Sequence, residues 1–274
     1  MAEPSMALTK DDIRRAAERL HQAEKTRKQI RQLSLEYPAI TIEDAYAIQQ
    51  AWIGIKVAEG RLVKGHKIGL TSRAMQSALG IDEPDSGVLL DDMFFADGGL
   101  VPSERFIGTR VEAELAFIMK TRLAGPDCTM FDVLNATDFV VPALEILDTR
   151  IERVDPVTKA TRKIFDTIAD NAANAGIVLG GRPLDADLRW IGALCYRNGQ
   201  LEETGLAAGV LNHPANSVAW LANKISPARA DARARPGGAG GIVHPPDRDR
   251  QRRHDSSRLW TIRIGQLLLR LMSS

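Results

Sequence analysis

The sequence predicts a mixed domain of the α/β (α+β) class without a regular βαβ array, and three observations carry that prediction. The first 60 residues are charged and amphipathic, with apolar positions recurring at helical spacing. From residue 61 the chain turns to short, glycine-punctuated, alternating segments with helical stretches inserted among them. No internal repeat recurs, and the β-rich alternation with inserted helices is not that of a regular parallel βαβ array. At 274 residues with 44% hydrophobic and 26% charged content, the chain can bury a sizeable core without a disulfide or structural metal.

The elements follow in order. Residues 10–33 read as a helix with Ile13, Ala17, Leu20, Ala23 and Ile30 near one face and Asp11 and Asp12 in the first turn. After the break at "YPAI", Thr41 is a natural N-cap, with Asp44 at the capping-box position. That second helix carries a stripe of Ile48, Trp52 and Ile55 and stops at Gly60. "LVKGHKIGLTS" reads as a strand, "SRAMQSALG" as a short helix, and "GVLLDDMFFADGG" as strand and turn. "TRVEAELAFIM" and "FVVPALEIL" are strands, with "TMFDVLNAT" as a helix between them. "DNAANAGIVLGG" starts as a polar turn and continues as a buried strand. Asn198-Gly199 marks a hairpin turn, and His213-Pro214 opens a last helix whose apolar side is Val218, Leu221 and Ala222.

"RVEAEL" puts Glu112 and Glu114 on one face of a strand, with Arg110 and Ala116. Alone, such a pair is a solvated face. The second strand shifts the balance, because Glu145 stands between Leu144 and Ile146, where a carboxylate is costly to bury without compensation. Three carboxylates from neighbouring strands form a hard, all-oxygen donor set that suits Mg²⁺ or Mn²⁺ better than zinc. Lys67 in a glycine-flanked apolar strand and Asp85 after a proline are candidate acid–base groups. Each also has a plainer reading, as a snorkelling lysine and an Asx-turn aspartate. His66 faces away from Lys67 in a regular strand, and His213 reads as a helix-entry residue. Cys128 and Cys195 have no metal-like spacing and read as reduced thiols.

Six segments together, "KGHKIGLTSRAMQ", "DEPDSGVLLDDMFF", "RVEAELAFIM", "VPALEILDTR", "FDTIADNAANAGIVLGG" and "ETGLAAGVLNHPANSVAWLANK", resemble the hydratase and decarboxylase branch of the fumarylacetoacetate hydrolase superfamily. The resemblance runs from about residue 12 to residue 227. It implies a mixed β-roll with a helical N-terminal region and a homo-oligomer. It further implies a metal-dependent lyase that hydrates a small 2-oxo acid, with decarboxylation and C–C hydrolysis as rival chemistries. Glu112, Glu114 and Glu145 become the ligands of Mg²⁺ (or Mn²⁺), and Lys67 and Asp85 the proton-transfer pair.

Three regions are therefore expected: a helical region over 1–60, an incomplete catalytic β-roll over 61–227, and an atypical tail over 228–274. From Ser226 onward the chain has ten Arg and four Asp but no Lys or Glu, a net of +6 within a chain of net +1. Related proteins continue instead with apolar strands. Codons can be chosen for "RARPGGAGGIVHPPDRDR" that, read one nucleotide later, spell EPGQVVLAGSFTRPIAT, which resembles the family's own continuation. The tail is thus expected to be translated out of frame and disordered, with "IGQLLLRLM" able to form a short helix. With Trp260 as its only aromatic and no organised motif, it is a poor nucleic-acid binder. No basic-then-apolar leader opens the chain and no apolar run nears the ~20 residues of a membrane helix, so a cytoplasmic protein with no membrane or nucleic-acid partner is expected.

Overall fold

The computed structural model describes residues 7–226 and the backbone of residues 259–262. Three helices lead: α1 (Lys10–Thr26), α2 (Leu33–Glu36) and α3 (Ile42–Ala58). Both long helices start at a capping box, Thr9 with Asp12 and Thr41 with Asp44. The second was legible in the sequence; in the first, Asp12 supplies the reciprocal bond as well as a favourable charge. The helix expected over 10–33 stops at Thr26, because Arg27 adopts a left-handed conformation (φ 55°) and its N–H turns back onto Ala23 and Glu24. Ile30 then leaves the helix to bridge in parallel with Ile151, a contact that no local pattern announces.

The strands are β1 (Val63–Gly69), β2 (Asp85–Leu90), β3 (Phe94–Phe95), β4 (Arg110–Met119), β5 (Thr137–Leu147), β6 (Asn174–Leu179) and the β7/β8 hairpin (Gly192–Arg197, Gln200–Leu206). Between them lie α4 (Arg73–Leu79), α5 (Met130–Ala136) and α6 (Ile164–Ala169), and α7 (Pro214–Lys224) follows the hairpin. The hairpin turns at Asn198 and Gly199, both at positive φ as a type I′ turn requires. Helix α6 had no sequence signal strong enough to separate it from the loop before the 174–179 strand.

One sheet has the order β2-β1-β9-β4-β5-β6-β3, where β9 is Leu259–Ile262. β9 runs parallel to β1 and antiparallel to β4, filling the slot between them. This corrects the expectation of a wholly disordered tail at those four residues. Without β9, β1 and β4 would face each other with unpaired backbone edges, and Trp260, Thr261 and Ile262 are strand-favouring residues. The other tail expectations, including the "IGQLLLRLM" helix, fall outside the described residues.

The sheet curls. Asn171, just before β6, hydrogen-bonds both the N–H and the carbonyl of Val88 on β2, which ties the far strand back toward β6. The outer face of β4, Leu115 and Phe117, packs with Val133 of α5 and Val218 and Leu221 of α7. Its inner face places Ala116 against Leu89, Val141, Ala143 and Ile177, so one end of the roll's interior is apolar. A further core joins Ile13, Leu20, Ile48 and Trp52 to Ile151 and Ile168, so the leading helices share their packing with α6. Each such fully buried large side chain contributes about 1.5–3 kcal/mol. Among the described residues, no helix is long and apolar enough to cross a membrane.

Candidate metal centre and active site

The apolar floor of the roll gives way to charge within two residues along β4. Glu112 pairs in register with Glu145 of β5, and Glu114 with Ala143. An oxygen from each of Glu112, Glu114 and Glu145 lies within 4.8 Å of the others. Glu114 and Glu145 are buried and Glu112 is half-buried. Burial first, and then the neighbouring Glu145, push the Glu114 carboxyl well above its ordinary range. Burial, reinforced by Asp85, raises Glu145 to about 7 against the opposing pull of Lys67. Like charges held this close in low dielectric favour either a shared proton or a cation. The donor set fits a divalent ion: three carboxylates, all oxygen, drawn from adjacent strands of a fixed register.

Lys67 is 4% exposed and not a snorkelling surface lysine. Its Nζ stands 3.4 Å from Glu145 Oε1 and donates to the Ala172 carbonyl at 3.2 Å. Asp85 is buried at the start of β2, opposite Gly69 of β1. A Cβ on Gly69 would sit 2.4 Å from Asp85 Oδ1 and 2.9 Å from Lys67 Nζ. Glycine at 69 therefore leaves the space in which those two groups meet, a signal available in the sequence only as "KIG". All five residues singled out from the sequence come to one end of the roll. His66 is half-buried on β1, and His213 caps α7 by accepting from the Ala215 N–H.

Sequence reasoning missed the support beneath Lys67. Asn171, Ala172 and Ala173 form a left-handed run (φ 53°, 52° and 58°), a conformation that costs non-glycine residues of order 1–3 kcal/mol each. The run is held at both ends. Asp170 accepts from Arg150 Nε at 2.6 Å and from the Arg150 N–H at 2.9 Å, and Arg150 Nη2 donates to the carbonyls of Asp170 and Asn174. Nothing in "DNAANAG" marks alanines for this conformation; tertiary bonds impose it.

Beside Glu112 the site opens into a crevice of about 570 Å³, bounded by Thr71, Ser72 and Met75 on one side and by Cys195 and Glu203 to Leu206 of the hairpin on the other. A smaller recess of about 100 Å³ reaches Asp85 between Ile42, Ile81 and Ile168.

Similarities to known proteins agree with this arrangement. No family model matches the chain. It is 65% identical over 214 residues to a 2-oxo-hept-4-ene-1,7-dioate hydratase of Escherichia coli, covering 77% of this chain and 80% of that one. A 2-hydroxypent-2,4-dienoate hydratase of Pseudomonas putida is 42% identical over 217 residues, with 78% and 95% covered. Among solved structures, the 4-oxalocrotonate decarboxylase of Pseudomonas putida G7, complexed with magnesium and adipate, superposes with a TM-score of 0.75 at 34% identity, covering 81% of this chain and 83% of that one.

Proposed function

From the premise that the chain belongs to the hydratase and decarboxylase branch of the fumarylacetoacetate hydrolase superfamily, we propose that it hydrates 2-oxohept-4-ene-1,7-dioate to 4-hydroxy-2-oxoheptanedioate. The observation that carries the proposal is the meeting of Glu112, Glu114 and Glu145 with Lys67 and Asp85 at the open end of the roll. Identity of 65% to the seven-carbon hydratase, against 42% to the five-carbon one, supports the longer diacid.

The three glutamates are assigned as the ligands of Mg²⁺, with Mn²⁺ as a substitute. When bound, the ion supplies Lewis-acid polarisation of the substrate's 2-oxo group. The chain's own residues do the rest. Moving the C4–C5 double bond into conjugation requires a proton to leave C3 and one to arrive at C5, after which water adds at C4. Lys67 and Asp85, brought together over Gly69, divide those transfers between them. The Ala172 carbonyl and Glu145 fix the ammonium so that its reach does not depend on a flexible four-carbon stem. The apolar floor under the carboxylates keeps bulk water from the inner side of the site.

The proposal extends to assembly and to the tail. The β8 strand is exposed along its whole length and presents Leu201 and Leu206, and Trp190 and Tyr196 are exposed nearby. That surface supports a homo-oligomer, which light scattering tests. Residues from about 228 onward are assigned to a shifted reading frame, and the coding DNA tests this by comparison with upstream homologues.

The deciding experiment is hydration of the seven-carbon substrate with Mg²⁺ and with EDTA, on this chain beside a version restored to frame. Turnover by both, stopped by EDTA in both, supports the site and makes the terminal strands dispensable. Turnover by the restored version alone keeps the activity and makes this chain a damaged copy. If both fold and neither turns over, the hydratase proposal fails.

A further inference from the structure

Beyond the metal row, the same face of the sheet carries a second polar row that the chemistry above does not use. Arg110 of β4 pairs with Leu147 of β5, one same-face step along the strands from Glu112 and Glu145, and Leu147 pairs with Asn174 of β6 across a bulge in the β5/β6 register. Such a step is ~7 Å, comparable with the reach from C2 to C7 of an extended seven-carbon diacid. Asn174 is fully buried, yet neither its Nδ2 nor its Oδ1 has a hydrogen-bond partner among the described residues. Leaving a buried amide in that state is costly, so a purely structural position would favour an apolar residue.

Two further arginines lie close enough to Arg110 to repel it. Arg153 and Arg162 stand opposite each other across the small Val154–Thr161 bridge, where Arg162 N–H donates to the Arg153 carbonyl at 2.9 Å. Like charges directly opposite on paired strands repel. Arg162 Nη1 is engaged by Thr149 just past β5, and Arg153 Nη2 is buried with no acceptor among the described residues. Burial, with Arg162 and Arg110 as the next causes, lowers Arg153 to about 10. The two acids that act on Arg153 are already committed: Asp170 to Arg150, and Asp148 to the N–H groups of Ile107 and Gly108.

We infer that Asn174 and the arginines Arg110, Arg153 and Arg162 form the seat of the substrate's far carboxylate, and so set the preference for a diacid over a monoacid. The inference rests on the 2-oxo acid reading of the carboxylate site. An anion in this seat satisfies the buried amide and guanidinium at once and offsets the repulsion of the opposed arginines.

Calorimetric binding in Mg²⁺ tests it on the full chain, using the saturated analogues 2-oxoheptanedioate and 2-oxopentanoate. The chain is expected to prefer the diacid. R153M and N174A should each weaken the diacid about tenfold or more and leave the monoacid within about twofold. N174A should melt no lower than the parent, because it removes a buried amide that the fold leaves unsatisfied, and R153K should recover part of the lost affinity. Retention of the diacid preference in both variants would overturn the seat and move the far carboxylate to the hairpin crevice. Equal losses for both analogues would overturn it in favour of a structural role. If neither analogue binds in a Mg²⁺-dependent manner, the 2-oxo acid reading falls and takes the inference with it; if both bind equally, that reading stands and the seat alone falls.

Discussion

Arg150 with Asp170, and Lys67 with its carboxylates, are two buried charge clusters joined by one short run of chain. The first is closed. Both oxygens of Asp170 and three nitrogens of Arg150 are bonded, and the guanidinium lies 5.0 Å from the centre of the Trp52 ring. The second is open. Four acids, Glu112, Glu114, Glu145 and Asp85, stand around one lysine, and burial holds Glu114 and Glu145 above their ordinary range. A closed cluster fixes geometry and offers nothing to a ligand. An open one is unstable by itself and gains from whatever cation and substrate complete it. Between them the left-handed residues 171–173 hand the rigidity of the first to the ammonium of the second.

The largest expected effect tests the open cluster. Glu112→Gln with Glu114→Gln should lower Mg²⁺-dependent turnover by about 10³-fold or more, while the metal-free melting temperature holds or rises because repulsion is removed. Paired assays and thermal melts check both. The closed cluster should behave in the opposite sense. Asp170→Ala strands a buried guanidinium and should cost about 3–5 kcal/mol in a denaturant titration; an unchanged midpoint would refute its structural role. Gly69→Ala sharpens the contrast, since its Cβ would intrude on Asp85 Oδ1 and Lys67 Nζ. Turnover should fall about a hundredfold with a circular dichroism spectrum like the parent's.

The smallest effect is in pH. With the folded Glu145 raised to about 7 from an ordinary 4.5, the metal-free folded state holds protons that the unfolded chain releases. Stability from this group is therefore present at low pH and is lost as pH rises from about 4.5 to 7. Adding Mg²⁺ should reverse the slope, stabilising more at pH 8 than at pH 5.5. Melting scans at the two pH values, with Mg²⁺ and with EDTA, read it directly.

What the sequence made legible was local or chemical. Thr41 with Asp44, Asn198-Gly199 and His213-Pro214 each satisfy a rule that needs few neighbours. Glu112, Glu114 and Glu145 stood out because carboxylates in apolar strands demand a reason. What stayed hidden was set at long range. Arg27 ends α1 so that Ile30 can reach Ile151, more than a hundred residues away. Ala172 and Ala173 are left-handed because Arg150, Asp170 and Asn171 hold them so, and alanine carries no trace of it. The orphaned amide of Asn174 looked like part of a polar turn. The hairpin was read correctly as a hairpin, but its place along the crevice at Glu112 followed only from the three-dimensional arrangement.

Strand β9 has a consequence for the order in which the molecule is made. β1, with Lys67, and β4, with Glu112 and Glu114, are neighbours in the sheet only through Leu259–Ile262. Both flanking strands are synthesised long before their spacer. The nascent chain therefore holds two half-sheets with bare facing edges until residues 259–262 emerge. Closure is a high-contact-order step, and the slow one in assembling the sheet. Any event that rewrites the last part of the message thus acts at the seam between the lysine-bearing strand and the carboxylate-bearing one, although every residue assigned to the chemistry was encoded long before.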